Sequence, residues 1–189
     1  QAAQALIDTY NCGVISQHCD SAQPQLVAQE NGAFGCGYNS DMTEQAPNAH
    51  LTAAIWHWNV YYQTAIEAAM ACNGDAAKFV ENMGGNAYYA GLAEGFVDAS
   101  PVNEATAAPN TAAVMDAVRE LIKSGEWDVF TGVKLSYNIS DDGKVEIIKT
   151  DADLVDADLN VIVAAGGPSV DDGVIKGSMD YNVAGVQEG

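Results

Sequence analysis

The sequence predicts an α/β fold: a sheet of parallel strands with helices on its faces. Short apolar runs of strand length alternate with helix-forming segments, and Gly or Asn stands where several of those helices would end. The order over the first forty residues is helix, strand, helix, strand. Such alternation is typical of parallel strands, because a chain that returns to a parallel neighbour needs a crossover segment, usually a helix.

The first four elements alternate in type. The predicted helices and strands cover, in order, residues 1–10, 13–18, 22–31 and 33–38. The second helix carries the clearest signals: Asp20 or Ser21 as its N-cap, Pro24 in its first turn, and Gly32 after its last turn.

The middle of the chain continues the pattern. A third strand, a helix, a loop and a further strand are predicted over 51–56, 59–72, 82–91 and 91–97. The helix has apolar side chains at helical spacing, among them Tyr62, Ile66 and Met70, and Asn73-Gly74 ends it.

The remaining residues mix one helix with strands. After a linker over 101–109, Asn110 caps the clearest helix of the chain, and Gly125 ends it. The apolar run 127–132 predicts a strand. Asp141-Asp142-Gly143-Lys144 predicts a hairpin turn between two β-prone runs, and the five acids within 151–158 predict an acidic loop.

Composition excludes several kinds of partner. The 26 Asp and Glu against 7 Lys and Arg give a net charge of −19, which argues against nucleic acid or an anionic membrane surface. A hydrophobic share of 48% with 17% charged residues excludes a disordered acidic chain. No run of apolar residues is long enough to predict a membrane span.

The N-terminus predicts a processed chain or a fragment. Residue 1 is Gln, helix-forming residues begin at once, and no basic segment followed by an apolar one is present. We expect a signal peptide to be absent or removed, and an upstream segment to be missing.

The cysteines leave two interpretations open. Cys12, Cys19, Cys36 and Cys72 contain no C-x-x-C pair and no histidine at zinc-finger spacing, so a metal site is not expected. An even count permits disulfides, whereas buried free thiols are equally typical of strand positions.

Functional side chains cluster at the ends of the three predicted strands. The candidates in order along the chain are His18, Asp20, Asn39, Asp41, Trp56 and Trp58. Ligands of open α/β sheets bind beyond the carboxyl ends of the strands. Aromatic faces stack and carboxylates accept hydrogen bonds, so this set suits a planar ligand with polar edges.

Each candidate also has a purely structural interpretation. Asp20 is typical of an N-cap, and Asp41 of a turn. His18 and Trp56 suit packed positions. Trp58 and the preceding histidine alternate faces if the third strand continues, so one of them at most would face the site.

Other chemistries have weaker support. The chain has no G-x-S-x-G elbow and no phosphate-binding loop, and Gly35-x-Gly37 lies inside a strand instead of after it. We therefore expect no catalytic residues and no cofactor. An α/β enzyme that uses His18, Asp20 and Asp41 is the alternative.

Segments at the same strand ends resemble the basic membrane protein family, the substrate-binding proteins of ABC importers, of which purine nucleoside receptors are the known type. They are QHCDS at 17–21, GYNSDM at 37–42 and AHLTAAIW at 49–56. The resemblance continues through 91–98, 122–126 and 179–186.

The resemblance implies a type I periplasmic-binding-protein fold, in which two α/β lobes joined by three crossing strands enclose the ligand. It places 1–52 in the C-terminal lobe, truncated at its start. Residues 53–98 then hold the hinge crossings and a return segment of the N-terminal lobe. Residues 99–189 complete the C-terminal lobe with an extension, of which 141–178 is longer than the family leads us to expect.

The resemblance also implies a function: extracytoplasmic binding of a purine nucleoside or nucleobase, without catalysis, for the membrane subunits of an ABC transporter. A lipid anchor outside this chain would be its membrane contact, in the periplasm or at the cell surface. Asp41 matches the family's ligand-binding acid, whereas Trp56 stands where relatives carry a basic residue near ribose. That departure makes a free nucleobase an alternative ligand, and a ligand-sensing regulatory domain an alternative role.

Overall fold

A computed structural model describes residues 1–186 of the chain. It consists of two units, Gln1–Ala112 and Ala113–Gly189. The last three residues of the second unit, which also end the predicted span 99–189, lie outside the described part.

The first unit has helices and strands in the predicted order. Its elements are α1 (Ala2–Tyr10), β1 (Val14–Ser16), α2 (Gln23–Glu30), β2 (Phe34–Asn39), β3 (His50–Trp56), α3 (Trp58–Ala71), α4 (Ala76–Asn82) and β4 (Val97–Ala99). The strands form one sheet in the order β1-β2-β3-β4; the first three are parallel and β4 is antiparallel to β3. The α/β prediction with parallel strands and flanking helices is confirmed.

Small side chains allow the helices to lie close to the sheet. The buried cluster consists of Ala3, Ile15, Ala28, Ala33, Ala46 and Ala49, with Ile7, Cys12, Leu26 and Val27 packed against it. Because most of these side chains end at Cβ, α2 packs closely against β1 and β2, and α1 packs against α2, with little room for larger residues.

Two glycines in β2 make space for a buried amide on α2. The Gln25 side chain is 0% exposed, and a Cβ on Gly35 would lie 3.0 Å from its Cγ. A Cβ on Gly37 would lie 3.2 Å from Gln25 Nε2 and 3.1 Å from His50 Cε1. The Gly-x-Gly pair therefore serves the packing of α2 against the sheet.

His50 at the start of β3 is buried next to a carboxylate. Its side chain is 0% exposed, and its Nε2 lies 3.5 Å from Asp41 Oδ1 and 3.5 Å from the Met42 amide nitrogen. Burial lowers the pKa of His50 below its ordinary value, although the negative charge of Asp41 acts in the opposite direction.

The Asp41 carboxylate lies in the loop between β2 and β3. Burial raises its pKa. Hydrogen bonds from the Thr43 hydroxyl (2.6 Å) and amide (2.9 Å), together with the charge of His50, lower the pKa of Asp41 by more than burial raises it. The net shift is downward, so the carboxylate is ionised at neutral pH.

Several predicted boundaries in the first unit are wrong. The N-cap of α2 is Ala22, although the Ser21 hydroxyl accepts a hydrogen bond from the Gln23 amide at 3.2 Å. Trp58 opens α3 instead of continuing β3, since the chain turns into a helix at His57. These differences are one or two residues long and arise where a strand or loop meets a helix.

The segment before β4 differs more. Residues 91–96 form turns, held by hydrogen bonds from the Gly95 amide to Leu92 O and from the Phe96 amide to Gly91 O, each 3.1 Å long. The predicted strand over 91–97 is thus wrong except at Val97, where β4 begins. Helix α4 was not predicted; Asp75 caps it by accepting from the amides of Ala77 and Lys78.

The second unit contains α5 (Thr111–Lys123, which begins at the unit boundary), β5 (Val133–Ile139), β6 (Val145–Asp151), β7 (Leu154–Val155), β8 (Val161–Val163) and α6 (Asp172–Gly177). Strands β5 and β6 pair as an antiparallel hairpin, as do β7 and β8. The turn predicted over 141–144 is confirmed, with Ile139 opposite Val145 and the Gly143 amide donating to Ser140 O at 2.8 Å.

The strand predicted over 127–132 is wrong. The Trp127 indole N–H donates to Val133 O at 2.8 Å, and the Thr131 hydroxyl donates to Asp128 O at 3.0 Å. These side-chain bonds fold the segment into turns, so the first strand of the hairpin begins only at Val133.

The acidic run at 151–158 is partly strand. Strand β7 lies within it, and Asp156 accepts hydrogen bonds from the amides of Asp158 and Asn160 at 2.9 and 2.8 Å. A bond from the Asn160 side chain, with these two, lowers the pKa of Asp156. This acid therefore stabilises its own loop.

All four cysteines are free thiols in the structure. The structure therefore agrees with free thiols, one of the two interpretations that the sequence left open. Cys72 is buried and Cys19 is exposed. Within residues 1–186, none of the helices combines the length and the apolar character that a membrane crossing requires.

We predict that Gly37→Ala lowers the free energy of unfolding by about 1–3 kcal/mol, because the added methyl group overpacks the contact with His50, Ala53 and Gln25. The control is Gly13→Ala, where a Cβ meets nothing within 4 Å. Urea denaturation measures both. Equal effects of the two substitutions would contradict the close packing at Gly37.

We also predict that acid destabilises the protein through His50. Its folded pKa is depressed, so below its ordinary pKa of about 6.5 the unfolded chain takes up a proton that the folded chain resists. The free energy of unfolding should fall as the pH drops below about 6.5, by at most about 1.4 kcal/mol per pH unit. The depressed pKa of Asp41 adds a loss at lower pH, below its ordinary value of 3.8.

Urea titrations at several pH values test this prediction. His50→Gln should remove the decline below pH 6.5, because it removes the buried ring that resists protonation in the folded chain. An unchanged decline in His50→Gln would show that other groups cause it.

Candidate functional site

A row of aromatic side chains crosses the carboxyl ends of the parallel strands. The ring centroids of His18 and Tyr38 lie 4.1 Å apart, those of Tyr38 and Trp56 6.2 Å, and those of Trp56 and Trp58 5.9 Å. We call these four residues the aromatic row. Neighbouring rings are within stacking or edge-to-face range along its length.

Strand register explains why the row forms. Tyr38 in β2 pairs with Ala54 in β3, and Trp56 lies two residues further along β3, on the same face as Ala54. His18 follows the end of β1, which is the parallel neighbour of β2. Parallel strands end at the same edge of a sheet, so residues distant in sequence meet there.

Further aromatic residues support the row from the side of α3. The Phe96 ring lies 5.4 Å from Trp56 and 5.6 Å from Trp58, and Tyr88 lies 5.3 Å from Phe96. Phe96 is buried, and its carbonyl accepts a hydrogen bond from the His57 amide at 2.8 Å. These supports were not predicted from the sequence, in which the pair of adjacent tyrosines at 88–89 was the only local signal.

Asp20 and Asn39 join the loops that follow β1 and β2. The Asn39 side-chain amide donates to Asp20 Oδ1 at 3.2 Å, and Asn39 has a left-handed backbone with φ of 68°. Both residues are exposed. Asp20 is therefore linked to the second strand end and does not act as the N-cap of α2, which was one of its predicted roles.

Asp41 lies after the same strand but has different neighbours. Its contacts with the Thr43 amide, the Thr43 hydroxyl and His50 all use Oδ1, and its side chain is 45% exposed. Oδ2 takes part in none of these contacts. The structure thus brings His18, Trp56 and Trp58 together in the aromatic row and joins Asp20 to Asn39 by a hydrogen bond. It places the sixth candidate, Asp41, against His50.

The arrangement offers a planar ligand both a stacking surface and hydrogen-bond acceptors. Trp58 is 47% exposed and Trp56 is partly exposed, so ring surface is accessible to solvent. The carboxylates of Asp20 and Asp41 can accept from N–H or hydroxyl groups. Within the described residues, no three His, Cys, Asp or Glu side chains form a group that could hold a metal ion.

Comparison with known proteins gives one informative similarity. No protein-family profile matches the chain. The chain is similar to a purine-binding protein of Brucella abortus (strain 2308), with 32% identity over 131 residues. The matched region is 69% of this chain but 34% of that protein, so the chain spans about a third of the length of the relative.

Proposed function

We propose that this chain is part of an extracytoplasmic solute-binding protein that holds a purine nucleoside or nucleobase between two lobes and delivers it to the membrane subunits of an ABC importer. The observation that carries the proposal is the aromatic row, with Asp20 and Asn39 beside it, at the carboxyl edge of a parallel sheet. Similarity to a protein named for purine binding supports this ligand class.

A purine suits the chemistry of this edge. A base stacked on an aromatic side chain gains about 1–3 kcal/mol, and exposed rings of the aromatic row offer that contact. Purine N–H groups and ribose hydroxyls need acceptors, which the Asp20 and Asp41 carboxylates provide. Trp56 is an apolar wall where a basic residue would suit a ribose, so a free nucleobase is the alternative ligand.

Two observations support an N-terminal lobe whose remainder lies outside the described units, as in the type I periplasmic-binding fold of the basic membrane protein family. The relative is about three times as long as the region it shares with this chain. Helix α3 exposes Trp58, Tyr62, Ile66 and Met70, four residues apart and between 47% and 77% accessible. The remainder of that lobe, packed on α3, would cover such a stripe.

The domain boundaries at 52/53 and 98/99 belong to the same proposal. Strands β3 and β4 lie at those boundaries and are paired antiparallel, with Ile55 opposite Asp98. Two strands that cross between lobes in opposite directions would have this relation. The extracytoplasmic location and a lipid anchor follow from the same family and remain part of the proposal.

Binding without turnover is the activity that the site favours. The three residues of the enzymatic alternative contact other groups: the His18 ring lies against Tyr38, Asp20 accepts from Asn39, and Asp41 accepts from Thr43. General acid–base catalysis needs such groups within hydrogen-bond reach of each other or of one reacting atom.

A thermal-shift screen tests the ligand class. Adenine, guanine, adenosine and guanosine are added to the 189-residue chain and to the longest natural polypeptide that contains it. A ligand that binds only the folded state at 100 times its Kd stabilises it by about 2.7 kcal/mol, which raises the Tm. We expect a purine to raise the Tm and uracil, the control, to have no effect. A response to another class of metabolite alone would overturn the purine assignment.

We predict that Asp41→Ala weakens purine binding at least about tenfold, because a hydrogen bond to a charged group contributes about 1.5–3 kcal/mol. Isothermal titration calorimetry measures the affinity. Glu44→Ala, which removes an exposed carboxylate from the same loop, is the matched control and should bind as wild type. Unchanged affinity in Asp41→Ala would remove Asp41 from the site.

A further inference from the structure

The loop that carries His18 and Asp20 is held by the side chain of Gln17. Its Nε2 donates to Ser21 O at 3.3 Å, and its Oε1 accepts from the Cys19 amide. One side chain thus spans both ends of the segment 17–21. The position of this segment determines where the His18 ring and the Asp20 carboxylate stand beside β2.

Gln17 is in turn held from inside the protein. Its Nε2 donates to Gln25 Oε1 at 3.1 Å, and Gln25 is fully buried on α2. These contacts fix the orientation of both amides: the Cys19 amide requires an oxygen on Gln17, so the nitrogen of Gln17 points to Gln25 and meets its oxygen.

The same orientation leaves the nitrogen of Gln25 without a partner. Nε2 of Gln25 is buried and has no hydrogen bond, and a Cβ on Gly37 would lie 3.2 Å from it. A buried donor without an acceptor destabilises the fold, and such groups are few in native proteins. An apolar side chain of the same size would avoid this cost, so stability alone does not account for an amide here.

We propose that Gln25 is a positioning residue of the ligand site, which acts through Gln17 to fix the segment 17–21 and with it His18 and Asp20. The inference rests on the proposed function for its ligand and on the hydrogen bonds Gln25–Gln17–Cys19 for its action. Gln25 contacts no ligand itself. It restricts the loop before binding, so that less conformational entropy is lost when a purine binds.

Gln25→Met is the informative variant, because it keeps the length of the side chain, removes the acceptor for Gln17 and removes the unpaired donor. We expect the Tm to stay the same or rise. We expect hydrogen exchange of the Cys19 amide, followed by NMR in the ligand-free protein, to become roughly fivefold faster, as loss of one hydrogen bond predicts. Affinity for the purine found in the thermal-shift screen should fall by a similar factor.

Gln29→Met is the matched control on the same helix. Gln29 Oε1 accepts from the Asn48 amide at 2.8 Å. This variant therefore also loses a side-chain hydrogen bond, but the lost bond holds the loop between β2 and β3 and not the segment 17–21. It should leave both Cys19 exchange and purine affinity as in wild type. If Gln25→Met does not fold, Gln25→Leu removes the same acceptor for Gln17 while Gln17 keeps its contacts with Cys19 and Ser21, and it should give the same changes.

The outcomes separate this inference from the proposed function. Wild-type exchange of Cys19 and wild-type affinity in Gln25→Met would overturn the inference, as would an affinity loss that Gln29→Met shares. If the wild-type protein binds none of the four purines, the proposed function fails. The rate of hydrogen exchange at the Cys19 amide, compared between Gln25→Met and Gln29→Met, then decides whether Gln25 fixes the loop.

Discussion

The close approach of α2 to β2 is the constraint on which the first unit depends. Gly35 and Gly37 have no side chain where Gln25 needs space, and Ala28 and Ala33 are small enough for the helix to lie against the sheet. A helix farther from the sheet would remove Gln25 from reach of Gln17. The architecture of the sheet and the geometry of the loop after β1 therefore depend on the same packing.

Polar groups are placed at some cost to stability around the candidate site. Gln25 Nε2 and His50 Nδ1 are buried without partners. Burial also disfavours the protonated form of the His50 ring, so protonation of this ring destabilises the fold. Asp41 lies against His50, and its side chain is nevertheless 45% exposed. Groups of this kind commonly serve a site and not the core, because an apolar core would be more stable without them.

Local patterns in the sequence predicted the sheet but not all of its boundaries. Alternation of element types gave the three parallel strands, and strand ends then located His18 and Trp56 correctly at one edge. The strand predicted over 127–132 is wrong because the apolar residues around Trp127 are typical of a strand, whereas its indole N–H donates to a backbone carbonyl six residues away. Phe96 and Gln25 had no local signal, since each acquires its role from a contact with a distant segment.

Two of the three tryptophans of the chain, Trp56 and Trp58, belong to the aromatic row, and Tyr38 and Phe96 surround them. The third, Trp127, lies in the other unit. Ultraviolet emission of the first unit therefore originates at the strand ends, with tyrosines close enough to transfer excitation to the indoles. The protein contains its own optical reporter of events at this edge, without any added label.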